Sequence, residues 1–142
     1  MFTSLSPEKR LRAWRHVRSQ NYNSAEGVAS QFIGIDTVPR YLDCYTPSTW
    51  PSPFEIIHDG VFCSSGITLI LAATLDYLGF LNSEDLEFPV ISNNIDGSTG
   101  IVLNVDGQVF NFLQGETVTY EFMKENCTIY TVHKLKTHDL FR

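Results

Sequence analysis

Apolar residues recur every three to four positions in the first half of the chain and alternate in short runs in the second. Leu11, Trp14 and Val17 make one stripe after Ser6-Pro7-Glu8, where Ser6 is placed to cap a helix and Pro7 to occupy its first position. Asn23 and Glu26 stand at capping-box spacing ahead of a short second helix reaching Phe32. Ser52-Pro53-Phe54-Glu55 is a further capping box, and Asp59-Gly60 ends the short helix it begins. A central helix is predicted over about 64–78, with Gly79 beyond it. Ile67, Ile70, Leu71, Leu75 and Leu78 form its inner face, and Leu69, Ala72 and Ala73 widen that face until the helix reads as buried all round.

After Asn82 the period changes to that of strands. Phe88 to Ile91, Ile101 to Val105, Val109 to Leu113, Thr117 to Phe122 and Thr128 to Leu135 are the predicted segments. Asp106-Gly107 between two apolar runs is a hairpin signal. Helices first and strands second make the expected fold α+β: N-terminal helices and a buried central helix packed on a C-terminal antiparallel sheet. The 142 residues suit a single domain. Its parts are a basic helix over 1–20, the helix–loop–helix stretch over 50–80 and the sheet over 88–135.

Charge changes the picture at the N-terminus. Lys9, Arg10, Arg12, Arg15 and Arg18 face Glu8 alone in residues 1–20, a net of +4, which leaves −10 for the remainder of a chain whose total is −6. A basic arm on an acidic body reads either as a solvated face docked by Trp14 or as a site for an anionic partner through Arg12, Arg15 and Arg18. Tyr41, Tyr45 and Trp50 crowd an irregular stretch around Pro47 and are candidate anchors for a protein partner. No apolar run reaches the roughly 20 residues that span a bilayer, and the N-terminus lacks a signal-peptide core, so a cytoplasmic protein without a membrane role is expected.

Three cysteines, Cys44, Cys63 and Cys127, show no C-x-x-C spacing, and four histidines show no metal-binding pattern. Neither a metal nor a cofactor is expected. The run from Asn93 to Gly100 lacks the regular Asp spacing of a calcium loop and reads as a tight polar turn. The one arrangement that suggests chemistry is Cys63, after a Gly-containing loop and at the start of the buried helix. A helix N-terminus favours the thiolate, the reactive form. Equally, a free cysteine is often a small buried hydrophobe.

The order of capped short helix, Gly-containing loop, Cys at a buried helix start and antiparallel hairpin resembles the transglutaminase-like branch of the papain-type thiol enzymes. The matching residues are Pro53, Phe54, Glu55, Gly60 and Cys63, the helix 64–78 and the hairpin from Ile101 to Phe112, about half the chain. The resemblance implies Cys63 as nucleophile, a His opening the next strand as base, and an Asp on the following strand to orient it. Ser98, Thr99 and Gly100 stand where that His is expected, and Asn111 stands near the Asp position. His133 on the last strand, or His58 near the end of the short helix, is then the available base, with Asn111 orienting it or helping to hold an oxyanion. The leading expectation is a catalytically degenerate transglutaminase-like module that binds another protein. The small, aromatic-rich chain also resembles bacteriophage accessory or virion proteins in general style. The alternatives are an active thiol hydrolase or acyl-transfer enzyme built on Cys63, and nucleic-acid binding through the basic helix.

Overall fold

Phe2 and residues 6–39, 42–81 and 85–137 are described in a computed structural model. Helix α1 is Pro7–Arg18, and Ser6 Oγ accepts the Lys9 N–H at 3.3 Å as its cap. Its apolar stripe buries Trp14 and Val17. The Trp14 indole N–H donates to Thr74 Oγ1 at 2.9 Å, and the ring meets Phe54 edge-on at 4.9 Å. Arg10 ties the same helix to the short helix α3, Pro53–Asp59, by donating to the carbonyls of Ile57 (2.7 Å) and His58. A guanidinium over the last carbonyls of a helix satisfies acceptors that have no helical partner and complements the dipole. Gly60 has φ of +73°, and a Cβ there would lie 2.6 Å from Arg10 Cζ. The left-handed backbone favours glycine there, and any side chain would also push the Arg10 guanidinium aside.

Helix α2, Ala25–Ala29, is capped by Ser24, whose side chain accepts from Gly27 N, and not by the expected Asn23. The start therefore lies one residue later, because Ser24 has the extended backbone an N-cap needs. A 3-10 turn, Ser30–Phe32, completes this segment. The capping box at Ser52 and Glu55 opens α3 as expected. The central helix α4 is Ser64–Tyr77, with Cys63 as its N-cap and every residue from Ser65 to Leu75 buried. Each Leu or Ile buried there contributes roughly 1.5–3 kcal/mol, so α4 organises the core.

The sheet is antiparallel: β2 and β3 pair in succession along one edge of β1, β4 and β5 continue outward from β3, and β6 pairs along the opposite edge of β1. Its strands are β1 Asp85–Asn93, β2 Thr99–Ile101, β3 Leu103–Val105, β4 Gln108–Phe110, β5 Thr117–Thr119 and β6 Cys127–Lys136. The strand expected over Ile101 to Val105 is split at Val102. The cause is its partner Pro89, which accepts the Val102 N–H at 3.1 Å but has no N–H to return. Asp106 and Gly107 both have positive φ, the geometry of a two-residue hairpin turn, and they join β3 to β4 as expected. The segment expected as a strand from Thr117 to Phe122 ends at Thr119. That residue instead caps a six-residue helix α5, Tyr120–Glu125, by accepting from Phe122 N.

Leu86, Phe88, Val90, Ile101, Leu103 and Phe110 meet α4 in the main core. The opposite face is not bare. Ile91, Val102, Val109 and Phe112 close under Met123 of α5 in a second, smaller cluster. Among the described residues no helix is long and apolar enough to cross a membrane.

Candidate functional site

The N-terminus of α4 packs against β2 through paired backbone and hydroxyl groups. Ser65 Oγ accepts the Ile101 N–H at 3.1 Å, and the Thr68 hydroxyl reaches the Ile101 carbonyl at 2.9 Å. Asn111 follows β4 with φ of +66° and is 6% exposed. Its side-chain amide donates to the Ser64 carbonyl at 2.9 Å and to Thr68 Oγ1 at 2.8 Å. A carbonyl only accepts, so the amide nitrogen must face Ser64, which turns Asn111 Oδ1 the other way.

These elements enclose a cleft of about 290 Å³. Ser64, Gly100 and Asn111 lie together in it, with Ile67, Ile101 and Phe112 among its apolar lining. Thr37, Val38 and Pro39 supply another wall. Gln114 pins that segment by donating to the carbonyls of Phe32 (2.8 Å) and Ile35 (3.0 Å), and Val38 N–H bonds to the Phe62 carbonyl at 2.7 Å. Asp96 and Ser98 also line the cleft. The Asp96 carboxylate holds its own turn by accepting Ser98 N–H and Oγ, and Asn93 does the same for Ile95. The stretch expected to be a tight polar turn is one. Among the described residues no three His, Cys, Asp or Glu side chains gather as a metal cage.

Cys63 lies one residue before the cleft. It is 3% exposed, its Sγ accepts the Gly66 N–H at 3.3 Å, and it does not line the cleft. Ser64, the first residue of the helix, lines it instead. Asn111 is in the cleft as well, but it holds the helix terminus rather than an imidazole.

His133 is occupied elsewhere. Its Nε2 donates to the Cys44 carbonyl at 2.8 Å, and its ring meets Trp50 edge-on at 5.6 Å. The Trp50 indole N–H in turn donates to the Asp43 carbonyl at 2.7 Å. These contacts clamp residues 43–50 over the outer strand. Cys44 is buried, with Sγ 3.4 Å from Ser65 Oγ. His58 sits exposed at the end of α3, 3.3 Å from Asp59. His138 lies outside the described residues.

Gly100 is one of the three positions, with Ser98 and Thr99, where the sequence resemblance expects a His, and the space at Gly100 is closed. A Cβ at 100 would lie 2.6 Å from Ser65 Oγ and 3.1 Å from Ser64 Oγ.

Of the candidate binding residues, Arg12 and Arg15 are exposed. Arg18 is half-buried, 4.1 Å above the Trp14 ring and 5.1 Å from that of Tyr77, and its Nε is buried without a partner. Burial pulls its pKa below the ordinary guanidinium value, because the charged form loses hydration. Tyr45 is exposed, Trp50 is a packing residue, and Tyr41 lies outside the described residues. Ser64, Asp96 and Gln114 are cleft residues that sequence reasoning did not single out.

No family model and no curated protein matches the chain. Solved structures do: LapG of Legionella pneumophila in its calcium-bound form aligns with a TM-score of 0.68 and 16% identity, covering 95% of this chain and 82% of that one. A second LapG structure gives 0.64 over 92% of this chain and 80% of its own, again at 16% identity. An EGTA-treated one gives 0.63, with 92% and 77% covered at the same identity. At this identity the likeness is one of fold. It lends no support to the resemblance to bacteriophage proteins.

Proposed function

We propose that the cleft at the N-terminus of α4 is the working site of the protein, and that it binds a segment of another protein without a thiol–imidazole pair. The observation that carries this reading is the trio in the cleft: Ser64 at the helix start, Gly100 in the stretch where the resemblance expects a base, and Asn111 tied to the helix. Among the described residues, none that lines the cleft supplies an imidazole or an amine. A serine hydroxyl is a weak nucleophile without a base, and a buried cysteine cannot meet a substrate carbonyl. At about 290 Å³ the cleft is small for a cofactor and suited to one side chain with its flanking backbone.

A second reading, a thiol hydrolase or acyl-transfer enzyme, draws support from the fold shared with LapG over 95% of this chain. It requires Cys63 to turn out of the core and find a proton acceptor. Nucleic-acid binding through the first helix has less behind it, since Arg10 and Arg18 are engaged by the body and Arg12 and Arg15 remain outside.

Thiol labelling separates the first two readings. Cys127 is the least buried of the three thiols, and burial raises its pKa, so less thiolate is present at a given pH. Alkylation of the native protein, followed by intact mass and peptide mapping, is expected to give slow labelling at Cys127, quickening only above the pH where a free thiol ionises, about 8.5. Cys63 is expected to label only after denaturation. Rapid native labelling of Cys63, or an acyl adduct trapped from an activated ester that disappears in Cys63→Ala, would establish the hydrolase reading instead.

A further inference from the structure

We propose that the surface around Arg18, at the end of α1, docks an acidic segment of a protein partner, whose carboxylates pair with Arg18 and Arg15. The surface is separate from the cleft. Arg18 sits in an aromatic collar: its Cζ is 4.1 Å from the centre of the Trp14 ring, 5.1 Å from that of Tyr77 and 6.0 Å from that of Phe54. Rings hold a guanidinium in place but offer it no oxygen acceptor. Among the described residues none of its N–H groups has an acceptor, and neither Arg18 nor Arg15 has a carboxylate within ion-pair distance. Nε is the one nitrogen of Arg18 buried without a partner, so the two Nη groups remain for a ligand.

The surroundings select the occupant. Phe54 and Tyr77 are 49% and 66% exposed and flank the guanidinium with apolar surface, and Arg beside aromatic rings is the composition of interface anchors. Burial lowers the Arg18 pKa and the neighbouring Arg15 lowers it further, two costs that a bound anion offsets. A carboxylate on a guanidinium makes charge-assisted, often bidentate bonds. Arg15 and Arg18 stand three residues apart on the helix, which sets their Cβ atoms about 5–6 Å apart. Alternate side chains of an extended peptide are about 6–7 Å apart, so two carboxylates on one face of such a segment match the pair. Nucleic acid is disfavoured, because it gains affinity through many phosphate contacts and the remainder of this chain is acidic. A second copy is disfavoured too, since a two-fold contact would set both arginines against their own images.

The test is a titration of the full ¹⁵N-labelled chain at fixed low salt. The probes are the peptide acetyl-Leu-Glu-Phe-Glu-Leu amide, its counterpart with Gln for both Glu, and a thymidine trinucleotide of equal charge. The expected result is saturable shifts at the backbone amides of Arg15, Arg18, Phe54 and Tyr77 with the glutamate peptide, and none at Ser64 or Gly100. The glutamine peptide and the trinucleotide should bind at least about tenfold more weakly. Arg18→Lys, which keeps the charge but loses the planar fork, should weaken the glutamate peptide about tenfold. Arg15→Gln, at an exposed position that the core does not use, should weaken it about threefold. Equal binding of the glutamine peptide, tighter binding of the trinucleotide, unchanged affinity in both variants, or no shift at these amides with any probe would overturn the assignment. Shifts at the same four amides on concentrating the chain alone would overturn it in favour of a second copy. Each of these outcomes leaves the reading of the cleft untouched.

Discussion

Gly100→His is expected to destabilise the protein by about 2–4 kcal/mol and to activate no thiol. Overpacking a tight site costs roughly 1–3 kcal/mol, and the loss of one buried hydrogen bond adds about 1 kcal/mol. The new Cβ would press on Ser65 Oγ, and Ser65 cannot yield without releasing the Ile101 N–H and disturbing Cys44. The effects of Gly100→His and Ser65→Ala should therefore be coupled: the double variant should lose less than the sum of the two, because Ser65 Cβ is 3.9 Å away and out of conflict. Urea melts of the four proteins give the coupling, and alkylation reports on Cys63. A stable Gly100→His variant whose Cys63 labels quickly would show that the position can still host a base, and the hydrolase reading would then lead.

The second large effect is predicted at the other end of the helical layer. Trp14→Ala should cost about 3–5 kcal/mol, the range for truncating a buried Trp or Phe. Trp14 is 2% exposed and gathers three separate contacts: the bond to Thr74, the edge of Phe54 and the guanidinium of Arg18. Removing it strips Arg18 of its closest aromatic face while leaving the charge half-buried. Arg12→Ala, two residues away on the exposed side, should change stability by no more than about 0.5 kcal/mol. The contrast measures how far the basic helix is a docked structural element. A loss below about 1 kcal/mol for Trp14→Ala would mean that the helix is held mainly by other contacts, Arg10 among them.

The helices were legible where caps and periodicity agreed. Ser6-Pro7 and the box at Ser52 announce α1 and α3, and the apolar run from Ile67 to Leu75 can only be a buried helix or two strands, which its length decides. The hairpin at Asp106-Gly107 was legible because positive φ at two successive positions demands such residues. Helix α5 was not. Its six residues are too few to show a period, and Thr119 can begin a helix or end a strand equally well. The split at Val102 depends on Pro89, a partner thirteen positions earlier whose pairing the local sequence does not reveal.

The cleft begins one residue along the chain from Cys63, the residue the sequence singled out. Successive side chains on a helix point about 100° apart. Placing the helix start at Cys63 or Ser64 therefore decides which of them sees the cleft and which sees the core. Helix boundaries read from sequence carry an uncertainty of that size or more. The resemblance drew attention to the stretch ending at Gly100 and to Asn111, and both Gly100 and Asn111 line the cleft. Thr37, Val38 and Gln114 come from loops that meet only through tertiary packing, and nothing in their spacing foretells the meeting.

The two tryptophans of the chain fall on different sides of this construction. Trp14 seals the first helix to α4, whereas Trp50 sits in the clamp that joins residues 43–50 to His133. The protein therefore carries two intrinsic fluorophores that report on separate events. With Trp14→Phe the remaining emission follows release of the clamp, and with Trp50→Phe it follows undocking of the basic helix. Whether those two motions occur together or in sequence is open to direct spectroscopic timing, with no dye attached.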